Sequence, residues 1–171
     1  MSFARNLALA VREGLKQQHE VLTWRVAKHA ASAYTGGTAN SHGDHDGTAD
    51  PYTIFTVTGD VVIADFWGVV NTAVVSTSDT GTLEVGVAGN TAKLIAQTTA
   101  GSGTLAENDV ITDAGAEASI DVNAHSGAKH YIVNGADIIE TLGTNNFTSG
   151  QIDWYCIWAP VEAGAKVVSA S

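Results

Sequence analysis

Charge, cysteine and proline are all scarce in this 171-residue sequence. Charged residues make up 15%, well under the roughly one-quarter usual in globular chains. A single cysteine, Cys156, excludes an intrachain disulfide and with it a disulfide-stapled scaffold. Two prolines against 18 glycines mean that turns rely on glycine. No apolar run reaches the roughly 18 residues of a membrane-spanning helix, and neither heptads nor a collagen period is present. Low charge combined with 44% hydrophobic residues is the reverse of a disordered composition. The length suits one domain, or a domain with an arm, able to bury a core without staples. No secretory signal is expected, because Arg5 and Arg12 flank only a short apolar run that contains Asn6, and no cleavage site follows. Asn146-Phe147-Thr148 has the form of a glycosylation acceptor and reads as a turn.

What charge there is lies unevenly. The net charge is −10. Arg5, Arg12, Lys16, Arg25 and Lys28 face only Glu13 and Glu20 in the first 28 residues, a net +3. The remainder sets Lys93, Lys129 and Lys166 against 16 acids, a net −13. A basic segment joined to an acidic body predicts docking of that segment on an acidic surface, such as a neighbouring subunit. The acidic body repels phosphate, so direct nucleic-acid binding is not expected.

Phe3, Leu7, Ala10, Val11 and Leu15 recur at helical spacing behind a possible Ser2 cap, predicting a helix over 3–17. Leu22, Trp24 and Val26 then alternate with Thr23, Arg25 and Ala27, predicting a strand. Residues 35–51 lose all periodicity and read as a flexible Gly/Asp/His loop between an arm, 1–34, and a β-sandwich domain, 52–171. Strands are predicted over 52–58, 61–70 (buried on both faces, or long with a bulge at Gly68), 73–77, 83–87, 93–99, 119–123, 129–133, 137–141 and 151–158, and a short helical turn within 106–118. Asn134-Gly135 carries the strongest hairpin signal. Trp154, Cys156 and Trp158 share one face, and Pro160 ends the last strand. The fold class is mainly β: a sandwich or jelly-roll-like barrel with an N-terminal helix and extended arm.

Chemistry-bearing constellations are few. His42, Asp44, His45, Asp46 and Asp50 gather oxygen and nitrogen ligands around Gly47, but their order fits neither an EF-hand nor a complete zinc set, and a solvated loop explains them. Asp79-Thr80-Gly81 matches the short aspartic-protease signature but lacks the preceding apolar run, and a turn accounts for it. No nucleophile elbow is present, and the 86–91 segment lacks the lysine of a phosphate loop, so it reads as a turn. Asp60 and Asp65, five apart on one strand, point to opposite faces and do not make a glycosidase pair. His125 and His130 flank a turn at Gly127, and Cys156 sits in an apolar stretch as a small buried hydrophobe. Neither catalytic residues, cofactor nor metal is expected. The residues singled out for partner binding are Phe3, Arg5, Leu7, Arg12, Lys16, Trp24, Arg25 and Lys28: an apolar stripe with basic neighbours, with Trp24 as a candidate anchor.

Three stretches carry a resemblance: Gly59-Asp60-Val61-Val62-Ile63 with Trp67-Gly68-Val69-Val70; Leu83 to Ala92; and Gly150-Gln151-Ile152-Asp153-Trp154-Tyr155 with Trp158-Ala159-Pro160. Over residues 52–168 the chain resembles small structural proteins of tailed bacteriophages. The resemblance implies a non-enzymatic virion component, a head decoration or cement protein on the capsid surface beside the major capsid protein, with a homotrimer as the natural assembly. It carries over no catalytic residue, and the long basic N-terminal segment departs from compact decoration proteins. A tail or fibre-base module binding the virion or the host surface is the alternative, and a metal-dependent binding domain using the 42–46 ligands is a third.

Overall fold

The computed structural model describes residues 23–30, 32–47, 50–101, 103–113, 115–117, 130–132 and 135–171. The helix expected over 3–17 and the strand expected over 119–123 lie outside them. Eleven strands follow in chain order: β1 Arg25–Ala30, β2 Tyr52–Thr58, β3 Val61–Ser76, β4 Thr82–Val87, β5 Asn90–Thr99, β6 Val110–Thr112, β7 Gly115–Glu117, β8 His130–Ile132, β9 Ile138–Gly143, β10 Phe147–Pro160 and β11 Lys166–Ser169. Among the described residues there is no helix.

The strands form two antiparallel sheets. One runs β1-β10-β3-β6-β7, with β8 also paired to β3; the other runs β11-β2-β9-β4-β5. Inward-facing side chains of both sheets meet in one core. Alternation supplies most of it, as in β10, where Ile152, Trp154, Cys156 and Trp158 all point inward. In β2 the register slips between Thr53 and Phe55, so the extra residue Ile54 and its neighbour Phe55 are both wholly buried.

Several sequence expectations change here. The two segments expected over 61–70 and 73–77 are one continuous strand, β3, because the long β10 supplies a partner along its length. The ladder is regular at Gly68, which pairs with Trp154; extra residues on β3 fall at Ala64, between the Ile157–Asp65 and Trp158–Ile63 pairs, and at Asn71, between the Gln151–Thr72 and Ile152–Val70 pairs. Gly68 instead makes room: a Cβ there would stand 2.6 Å from the Trp154 ring. Among the described residues of 106–118 there is no helix: Asp109 N–H bonds to the Ala106 carbonyl across a tight turn, and β6 and β7 follow. Asn134 lies outside the described residues, but the strands on either side of it do not pair with each other: β8 pairs with β3 in one sheet and β9 with β2 and β4 in the other. The 86–91 segment does turn, at Ala88-Gly89, where Gly89 has φ 84° and Val87 pairs with Asn90.

Residues 25–30, grouped with the arm on sequence, are hydrogen-bonded to β10 along the whole of β1, from Arg25–Trp158 to Ala30–Asp153. The 35–51 loop is tied down as well. Gly36 N–H donates to the Phe147 carbonyl, and Phe147 N–H donates to the Gly43 carbonyl. The backbones approach so closely that a Cβ on Gly36 would collide with the Gly43 and Phe147 carbonyls.

Candidate functional site

Of the residues singled out for partner binding, Phe3, Arg5, Leu7, Arg12 and Lys16 lie outside the described residues, and Trp24, Arg25 and Lys28 fall on or beside β1. This strand is the edge of its sheet, with β10 as its ladder neighbour. Trp24 is 46% exposed and Val26 69%. The pleat sends Arg25 and Lys28 to opposite faces. The Arg25 guanidinium lies 5.2 Å from the Trp158 ring centroid, a cation–π contact. Lys28 Nζ sits 2.6 Å from Asp153 Oδ2 and 5.2 Å from the Tyr155 ring centroid. Hydrogen bonding to Asp153, then to Tyr155, raises the Lys28 pKa above its ordinary value. Tyr155 in turn stacks on Trp67 with ring planes 5° apart.

A second constellation lies inside the sandwich. Glu140 on β9 is wholly buried, because alternation with Ile139 and Thr141 turns it inward with Ile138 and Leu142. Three groups converge on its carboxyl. Tyr34 Oη donates at 3.0 and 3.1 Å, and Trp154 Nε1 donates at 3.1 Å. His42 Nε2 stands 3.3 Å away. Its Nδ1 lies 3.1 Å from the Ser32 carbonyl, which can only accept, and 3.2 Å from the Ser32 hydroxyl. His42 also stacks on Tyr52, centroids 3.9 Å apart, and lies against Tyr34. Burial and the neighbouring Glu140 push the Tyr34 phenol well above its usual pKa, so its proton stays on the hydroxyl. A buried acid without partners is strongly unfavourable, and these donors offset that cost. Asp50 sits nearby, its Oδ1 accepting Leu142 N–H at 3.1 Å. Burial, reinforced by Glu140 and Asp46 against the pull of the Leu142 N–H and His45, pushes its carboxyl up to about 6.

The structure disperses the ligand set of the 42–50 loop. His42 turns inward to Glu140, Asp44 Oδ2 accepts Asn40 N–H, and His45 Nδ1 meets Asn146 Oδ1 at 2.6 Å. No three His, Cys, Asp or Glu side chains come together as metal ligands among the described residues. Cys156 is buried, and burial raises its thiol pKa, so it is held as an unreactive thiol. His130, on β8, has its pKa lowered by burial and then by Lys93.

No family model matches the chain, nor does any curated protein. Among solved structures, a chain of the cyanophage Pam1 capsid asymmetric unit aligns with a TM-score of 0.42 and 14% identity, covering 81% of this chain and 85% of that one.

Sequence reasoning missed the Glu140 cluster. Its one visible signal is a lone acid amid Ile138, Ile139 and Leu142, at a position that strand alternation turns inward. Tyr34 and His42 come from a stretch without periodicity, so nothing in their spacing predicts their convergence. Trp154 is a core residue as expected, and its indole N–H adds a polar role.

Proposed function

We propose that the chain is a non-enzymatic structural protein of a tailed-phage virion that decorates the capsid and stabilises it by bridging major capsid protein subunits. The sequence resemblance over residues 52–168 supports this reading, and so does the character of the polar cluster. Glu140 and its partners are buried and satisfy one another, an arrangement that holds elements together rather than receiving a substrate.

The observation that carries the reading is β1. It is an edge strand at the end of the basic segment, with Trp24 and Val26 exposed and Arg25 and Lys28 on its two faces. An edge of this kind can add to a neighbour's sheet while its basic flank meets an acidic surface. Contacts gathered on several capsomers multiply affinity through effective concentration. A homotrimer of jelly-roll-like subunits on a symmetry axis is the assembly this reading favours.

The test is a capsid thermal-release assay on particles stripped of decoration. Full-length protein should raise the temperature at which the particles open, and a variant with Arg5, Arg12, Lys16, Arg25 and Lys28 changed to serine should bind weakly. Capsids that open at the same temperature with and without the protein refute the capsid role, and labelling of tails instead favours the tail-module reading.

A further inference from the structure

β1 is an unusual edge strand. Only Ala27 and His29 are buried; Arg25, Val26, Lys28 and Ala30 are exposed. Little apolar burial therefore anchors it, and one of its two inward side chains is titratable. His29 is 3% exposed. Its Nδ1 lies 2.9 Å from Ser169 Oγ on β11, a contact joining the edges of the two sheets. Its Nε2 is buried with no hydrogen-bond partner among the described residues. Tyr52 and Phe55 of β2 pack against the ring.

We infer that β1 is an acid-releasable strand: protonation of His29 expels it from the sandwich and frees the β10 edge from Asp153 to Trp158 for another strand. A protonated imidazole carries a second N–H, on Nε2, where no hydrogen-bond partner stands among the described residues to accept it. The charged and titratable groups around the ring are Tyr52 on β2, Glu140 on β9, Asp153 on β10 and His42 in the 32–47 loop. Burial, the largest influence, and His42 disfavour the charged ring; Glu140, the Ala170 backbone carbonyl and Asp153 favour it, but burial prevails and holds the imidazole below its ordinary pKa. The sign follows from linkage. The unfolded or released strand takes up the proton first, so the attachment of β1 is complete above the ordinary histidine range and is lost as pH falls through and below it. Release is local because β1 has β10 as its ladder partner, whereas β9 and β3 are paired on both sides. The inference stands on the isolated chain and does not depend on the virion reading.

Amide hydrogen exchange on the full chain tests it, at about pH 7.5 and about pH 5 with rates corrected for intrinsic exchange. Protection of the Val26–Ala30 amides should fall about tenfold more than that of the β9 amides. In His29→Gln that extra fall should shrink to under about twofold, since glutamine cannot take the charge. Equal losses in β1 and β9, or an undiminished fall in His29→Gln, overturn the inference. Should the variant fail to fold, the wild-type comparison of β1 with β9 decides by itself.

Discussion

The carboxyl of Glu140, on β9 of one sheet, accepts the indole N–H of Trp154, on β10 of the other, at 3.1 Å. This polar tie crosses the interior of the sandwich, and through Tyr34 and His42 it also fastens the 32–47 loop. Loop and sheets therefore share one anchor.

Replacing Glu140 with alanine should cost about 3–5 kcal/mol, because it strands three buried polar groups. Denaturant unfolding followed by tryptophan fluorescence measures it. A loss within about 0.5 kcal/mol, the range of an ordinary surface change, would show that the cluster is not the anchor.

Gly68 faces the Trp154 ring, with a Cβ position 2.6 Å from it. Gly68→Ala should destabilise by roughly 1–3 kcal/mol through overpacking. Gly89→Ala meets no neighbour but carries φ 84°; it should cost only about 1–2 kcal/mol, from the left-handed backbone. Paired melting curves of the two variants separate crowding from backbone strain.

Asp50 supplies a pH prediction. Its folded pKa, about 6, lies above the ordinary carboxyl value of 3.8, so the folded protein takes up the proton first. Ionised Asp50 therefore lowers stability above about pH 6, and this penalty fades as pH falls toward the unfolded pKa. Asp50→Asn keeps an oxygen for the Leu142 N–H. It should melt higher than wild type at about pH 8 and equally at about pH 4. A variant that is no more stable at the higher pH would refute the assignment.

The position of β1 fixes where a truncation can be made. A chain starting at residue 23 retains all of β1, whereas one starting at 29 removes four of its six residues and bares β10. The first should stay folded and soluble, and the second should associate through the uncovered edge. Light scattering after size exclusion reads both, and a monodisperse 29–171 monomer would contradict the expectation.

The sandwich itself was legible because its signals are local. Alternating apolar residues mark β2, β4, β9 and β10, and Gly89 marks a turn. What stayed illegible depends on partners distant in sequence. Asn134-Gly135 has ideal hairpin chemistry, yet the strands on either side find better neighbours in different sheets. β6, β7 and β11 are too short for periodicity to register. The loop ligands were visible as residue types, but His42 is drawn inward by an acid almost a hundred positions away, as the separation of 98 records.

Ladder order also has a consequence for biosynthesis. β1 pairs with β10, and β2 pairs with β9 and β11, so the earliest described strands join the last to be made. As the chain leaves the ribosome, β4 and β5 can close their hairpin at once, while β1 and β2 wait for most of the sequence to follow. Such non-local topology folds slowly and leaves edges open to other nascent chains in the interval. Yield should therefore depend more on the rate and temperature of synthesis than on the stability of the finished sandwich.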